Sequence, residues 1–152
     1  MNISITNLCN RRCDYCFQKT WYLSNKTHIE DSTIEMSVDQ YAELLTWSNV
    51  LHIKLMGGEP LLHSKIKQLI EVAYYQGKNV TLISNISVEP KIIENIFSDK
   101  TCECIKSILV DSDYPTSQKD LFEKNFEYIV SQTRSDVSIS STLLQNHDDI
   151  ME

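Results

Sequence analysis

The chain has 152 residues, 41% hydrophobic and 23% charged, with a formal net charge of -7. That balance fits one soluble domain and speaks against a basic nucleic-acid-binding surface. No stretch is long and apolar enough to span a membrane, no secretory signal precedes the first cysteine, and no repeat or Gly/Ser/Pro-rich linker divides the chain.

Residues 3–8 form the first predicted strand, which runs into CNRRCDYCF at residues 9–17. Cys9, Cys13 and Cys16 are too closely spaced for a disulfide framework, and an odd cluster leaves one thiol unpaired. In a reducing cytoplasm such thiols serve instead as thiolate ligands for a metal or an iron–sulfur cluster. Residues 19–36 make a long polar connection without a clear period. Ser37 and Gln40 then form a capping-box pattern ahead of an apolar stripe of Val38, Tyr41, Leu44, Leu45 and Trp47. Residues 51–56 are the second strand. Ile66, Leu69, Ile70, Ala73 and Tyr74 mark a second helix, which Gly77 is placed to end. Residues 80–85 are a strand, Pro90 opens a helix through Ile93 and Phe97, and residues 105–111 are a strand. A fourth helix carries Leu121, Phe122, Phe126, Ile129 and Val130. Residues 137–143 are the last strand, with a helix start at 146–152.

Regular alternation of strand and helix points to parallel strands with crossover helices, an α/β fold. Along the second strand Leu51, Ile53 and Leu55 share one face, and His52, Lys54 and Met56 the other. Ile108 and Val110 likewise oppose Ser107, Leu109 and Asp111, while Val137, Ile139 and Leu143 oppose Ser138, Ser140 and Thr142. Faces this polar do not suit the packed interior of a closed barrel. A partial (β/α) barrel with a ligand-holding lumen is expected, the alternative being an open sheet with one weakly packed face. MGGEP, residues 56–60, ends the second strand, and sites in parallel sheets collect at carboxyl ends. Gly57 and Gly58 allow close backbone approach to a ligand or, equally, a tight strand-to-helix turn; Pro60 fixes the turn that follows.

Cys9, Cys13 and Cys16 in a CxxxCxxC arrangement, Tyr15 just before the third cysteine, and GGEP one βα unit later resemble the radical S-adenosylmethionine (SAM) superfamily. The resemblance implies that the three thiolates bind three irons of a [4Fe-4S] cluster, leaving the fourth iron open for the amino and carboxylate groups of SAM. It further implies reductive cleavage of SAM to a 5′-deoxyadenosyl radical that abstracts hydrogen from a substrate in the barrel. Tyr15 would lie against the adenine, and the backbone of Gly57, Gly58 and Glu59, ahead of Pro60, would meet the methionyl amino group. Ser84 and Asn85 fall where many members carry a TNG-like turn, with Ile86 in place of the glycine. Asp111 falls where peptide-modifying members carry a Ser-x-Asp-Gly segment, with Leu109 and Ser112 replacing the serine and glycine. These three residues are candidate cofactor contacts or, equally, strand-end turn residues. The strand order and GGEP lean toward the branch that modifies peptides or proteins, with a donor such as flavodoxin or ferredoxin supplying the electron.

A full barrel takes about 250 residues, so residues 1–152 are expected to be one radical SAM core lacking its C-terminal βα units. Two other readings stand beside the enzyme: a noncatalytic or truncated iron–sulfur and SAM-binding module, and a structural zinc loop completed by one of the scattered histidines 28, 52, 63 and 147. Cys102 and Cys104 read as two half-buried thiols, too few for a second cluster.

Overall fold

The alternation of short apolar strands and amphipathic helices resolves into one parallel sheet with helices against it. The computed structural model describes residues 1–13, 15, 16 and 34–142. The sheet is built from β1 (Asn2–Ser4), β2 (His52–Met56), β3 (Asn79–Ser84), β4 (Ile105–Asp111) and β5 (Asp136–Ser140), paired in that order. Among the described residues all four pairings are parallel and the ends do not meet, so the sheet they form is open. Between strands run α1 (Val38–Ser48), α2 (Ile66–Tyr75), α3 (Pro90–Phe97) and α4 (Lys119–Gln132).

Register explains how the two faces separate. Ile3, Leu55, Leu82, Ile108 and Val137 are aligned neighbours across all five strands, and the first four are buried beneath the helices. Tyr41, Leu45, Leu69, Ile70, Ala73, Ile93, Phe122 and Ile129 meet this row from the helical side. Burying each large aliphatic or aromatic side chain contributes roughly 1.5–3 kcal/mol, so this seam holds the layers together. On the opposite face Asn2, Lys54, Thr81, Ser107 and Asp136 are aligned in the same way. Thr81 and Ser107 share a hydrogen bond of 2.8 Å. The polar face expected from the sequence therefore exists as a continuous row, on an open sheet.

Several boundaries and faces differ from the sequence expectation. β1 ends at Ser4 rather than at residue 8, because the chain beyond it bends to pair with other segments, including an antiparallel bridge between Thr6 and Glu35. The Ser37 capping box forms as expected, but Trp47 is 82% exposed. At about 100° per residue it lies on the far side of α1 from Leu45. Val130 and Ile139 are also exposed, at the margin of the α4 stripe and on the edge strand. Most of the 19–36 connection, Leu143 and the helix start at 146–152 lie outside the described residues, as do His28 and His147.

Gly77 ends α2 as its position suggests. Its φ is +66°, and the N–H groups of Gly77 and Lys78 return to the carbonyls of Tyr74 and Ala73 at 3.0 and 2.9 Å. This is a Schellman closure, which needs a left-handed residue. A Cβ at Gly77 would meet nothing within 4 Å. Gly77→Ala is expected to cost about 1 kcal/mol through backbone strain alone, and Gly77→Asn less, in urea unfolding.

Candidate cluster and cofactor site

The carboxyl ends of β1 and β2 are joined beyond the sheet by backbone hydrogen bonds. Ile5 N–H donates to Met56 O at 3.0 Å, Gly58 N–H to Thr6 O at 2.8 Å and Glu59 N–H to Leu8 O at 2.7 Å. A Cβ on Gly57, whose φ is +149°, would stand 2.4 Å from Thr6 O, and one on Gly58 would stand 2.2 Å from Leu8 O. Both glycines are therefore required by the protein's own backbone. Since the N–H groups of Gly58 and Glu59 are consumed in this contact, the turn has carbonyl oxygens, not these donors, left for a ligand's amino group.

This zipper delivers the chain to the cysteine loop. Cys9 is exposed, Cys13 and Cys16 are half-buried, and all three are free thiols. Cys16 N–H donates to Cys13 O at 3.2 Å, and Arg11 N–H to the Cys9 sulfur at 3.4 Å. The Cys9 thiol is pushed above its ordinary range, first by partial desolvation against the neighbouring turn and further by Glu59, Cys13 and Cys16, against the Arg11 N–H. Three thiols that act on one another on one loop, with a backbone N–H on sulfur, are a donor set that fits an iron–sulfur cluster with three protein ligands. They are not drawn to ligand spacing: among the described residues no three His, Cys, Asp or Glu side chains converge that tightly. Cys102 and Cys104 precede β4, at the opposite edge of the sheet, and the buried Cys104 is bonded to Ile70 O. His63 is buried, with Nε2 2.9 Å from Met36 O and Nδ1 accepting Lys65 N–H at 3.0 Å, so both ring nitrogens are engaged. A zinc site using it would have to break one of these contacts.

The ends of β3 and β4 brace the loop. Glu59 is 1% exposed; its Oε1 accepts Leu61 N–H at 3.0 Å and Ser84 O–H at 2.7 Å, and its Oε2 accepts Asn85 N–H at 2.7 Å. Asn85 donates from Nδ2 to Asn10 Oδ1 at 2.9 Å. Ser84 and Asn85 are thus brought to the site, but their polar atoms serve the turn itself. Ile86, at the position of the family's glycine, has φ +48° and is fully buried. For a β-branched residue this is a strained conformation. Asn125 on α4, which periodicity does not reveal, fixes this turn by donating to Ile86 O and Val88 O, both at 2.7 Å.

Asp111 closes the other side. Its Oδ2 accepts Tyr15 O–H at 3.3 Å and lies 3.9 Å from the Arg11 guanidinium. Burial, with Cys13, Asp111 and Asp113 alongside, pushes the Tyr15 phenol up, so it remains a neutral donor. A cavity of about 420 Å³ opens here, lined by Arg12, Cys13, Tyr15, Asp113 and Tyr114 among others. A larger hollow of about 600 Å³ lies between α2 and α3 and touches none of these residues.

Residues 3–99 match the family model of the Radical SAM superfamily. The chain belongs to that superfamily. With membership come its cofactors, a [4Fe-4S] cluster and SAM, in keeping with the donor set just described. The chain is 29% identical over 128 residues to a GTP 3′,8-cyclase of Alkaliphilus metalliredigens, covering 80% of this chain and 37% of that protein. It is 32% identical over 95 residues to an S-adenosylmethionine-dependent nucleotide dehydratase of Selenomonas ruminantium, covering 61% and 32%. A probable GTP 3′,8-cyclase of Methanocaldococcus jannaschii is 26% identical over 151 residues, with 95% and 47% covered. This radical SAM chain thus spans about a third to a half of the length of these relatives. The crystal structure of archaeal TYW1 superposes with a TM-score of 0.51 at 15% identity, over 98% of this chain and 55% of that one, which supports the fold. The relatives are named for nucleotides, and the leaning toward a peptide substrate gains no support from them.

Gly58→Ala is expected to cost more than about 3 kcal/mol, since its contact is backbone that cannot swing aside; thermal unfolding beside Gly77→Ala measures the contrast. Burial also raises the Glu59 carboxyl above its ordinary 4.5, against the hydrogen bonds from Ser84, Leu61 and Asn85 and the Arg11 charge. Between 4.5 and that raised value the folded chain holds a proton that the unfolded chain has released. Its contribution to stability is therefore complete below this window and is lost as pH rises through it. Glu59→Gln should flatten that slope in urea unfolding across pH 4 to 8, while costing about 1–3 kcal/mol because its amide would face Asn85 N–H donor to donor.

Proposed function

We propose that this chain is the cluster- and SAM-binding core of a radical enzyme whose substrate is a nucleotide. The observation that carries the reading is the set of three free thiols on one loop, joined directly to the Gly57–Gly58 turn at the carboxyl edge of the sheet. Cys9, Cys13 and Cys16 would ligate three irons. When bound, the cluster and SAM supply reductive cleavage to methionine and a 5′-deoxyadenosyl group that takes a hydrogen atom from the substrate. The residues around them have separate tasks. Tyr15, held by Asp111, offers an aromatic face to the adenine beside the 420 Å³ cavity. The carbonyls of Gly57 and Gly58 would be the acceptors for the methionyl amino group. Glu59 and Pro60, with Ser84 and Asn85, shape the pocket floor from below rather than reaching into it.

The substrate assignment rests on the names of the relatives and on the polar row of Lys54, Thr81 and Ser107 across the open face. With Asn2 and Asp136 at its ends, this row of hydroxyls, an amide, one ammonium and one carboxylate suits a polar molecule better than an apolar one. A low-potential donor such as flavodoxin or ferredoxin provides the electron, and a reducing cytoplasm keeps the thiols free.

Electron paramagnetic resonance on the anaerobically reconstituted, reduced chain tests the reading. A [4Fe-4S] signal that changes on adding SAM, with 5′-deoxyadenosine formed faster when GTP is present, is the expected result. Cys13→Ala should drop iron from about four per chain to background. A signal indifferent to SAM would leave a noncatalytic module, and stimulation by peptides but not nucleotides would overturn the substrate assignment.

A further inference from the structure

Arg11 stands between the first two cysteines, yet its side chain is only 3% exposed. Burying a guanidinium is expensive unless every donor is met. Here each one is: Nε donates to Gln118 Oε1 at 3.0 Å, one terminal nitrogen to the carbonyls of Asp111 and Asp113 at 3.4 and 3.2 Å, and the other to Asn85 O at 3.3 Å and Ser87 Oγ at 2.7 Å. One side chain therefore ties the cysteine loop to the ends of β3 and β4 and to the start of α4. The same residue's backbone N–H lies on the Cys9 sulfur at 3.4 Å. All five partners are uncharged, three backbone carbonyls, the Gln118 amide oxygen and the Ser87 hydroxyl, and the Asp111 carboxylate stands off at 3.9 Å while also accepting Tyr15 O–H. The positive charge is solvated chiefly by dipoles, with the Asp111 carboxylate as its ion-pair partner at 3.9 Å. Directly above it is a loop that becomes anionic when its thiolates hold metal.

We propose that Arg11 is a positioning residue that fixes the cysteine loop on the sheet edge, and that its charge favours the reduced, more negative form of the bound cluster. The inference rests on the functional reading above. A neighbouring positive charge raises the reduction potential of an anionic cluster, and a hydrogen bond to a ligating sulfur acts in the same direction. A planar fork spanning two strand ends also fixes orientation in a way that an ammonium cannot.

The test compares Arg11→Gln and Arg11→Lys with the unchanged chain, using Lys106→Gln as a charge control at the amino end of β4. Arg11→Gln is expected to shift the potential of the reconstituted cluster to more negative values, while Arg11→Lys and Lys106→Gln stay close to the unchanged chain. In cluster-free protein, amide exchange over residues 9–13 should speed by about tenfold or more in Arg11→Lys, as when one net hydrogen bond is lost, with α2 unaffected. This second readout decides the matter should Arg11→Gln not fold. If the unchanged chain takes up a cluster but the potential and loop exchange of the variants match it, the role of Arg11 is overturned and the functional reading stands. If the unchanged chain takes up no cluster, both fall.

Discussion

The backbone of residues 57–59 touches the backbone of residues 6–8, and the rest of the site depends on that contact. It requires two glycines, because a single Cβ at either position would sit inside a carbonyl oxygen. The hydrogen bonds that accompany it carry the pairing of β1 and β2 past the end of the regular ladder and hold the start of the cysteine loop above the sheet. A turn often read as a place where ligand meets backbone is thus first a place where backbone meets backbone. The approach to a ligand is left to whatever oxygens that contact does not use.

Two titratable groups, one acidic and one basic, are buried on either side of this junction. Glu59 gathers N–H and O–H donors from the turn after β2 and the end of β3, and Arg11 gathers oxygens from the ends of β3 and β4. Together they convert three separate strand ends into one rigid rim. Each is satisfied chiefly by neutral dipoles, and a buried polar group left without its partner is costly enough that neither can be removed without disturbing the others. The strained Ile86, clasped by Asn125 from α4, is tolerated within the same frame.

Much of this was legible in the sequence. The alternation of strands and helices, the faces of β2 and β4, the Ser37 cap and the Gly77 stop depend on local spacing, and local spacing was enough. The three cysteines and GGEP were legible as chemistry because their side-chain types are restrictive. Trp47 misled because it follows Leu44 at the helical spacing of three, while its position two residues past the buried Leu45 turns it to the opposite side of the helix. Arg11 gave no signal: an arginine in a polar loop is ordinarily solvated, and nothing nearby in sequence supplies its partners at Asn85, Asp111 and Gln118.

What the sequence determined by itself, then, was the order of elements and the cysteine and GGEP motifs that mark the family, both encoded within a few residues of one another. Tertiary structure alone decided which atoms remain free for a ligand. Ser84, Asn85 and Glu59 look like contacts in the linear chain, but once folded they satisfy one another, because buried polar groups from distant strand ends take the nearest partner available.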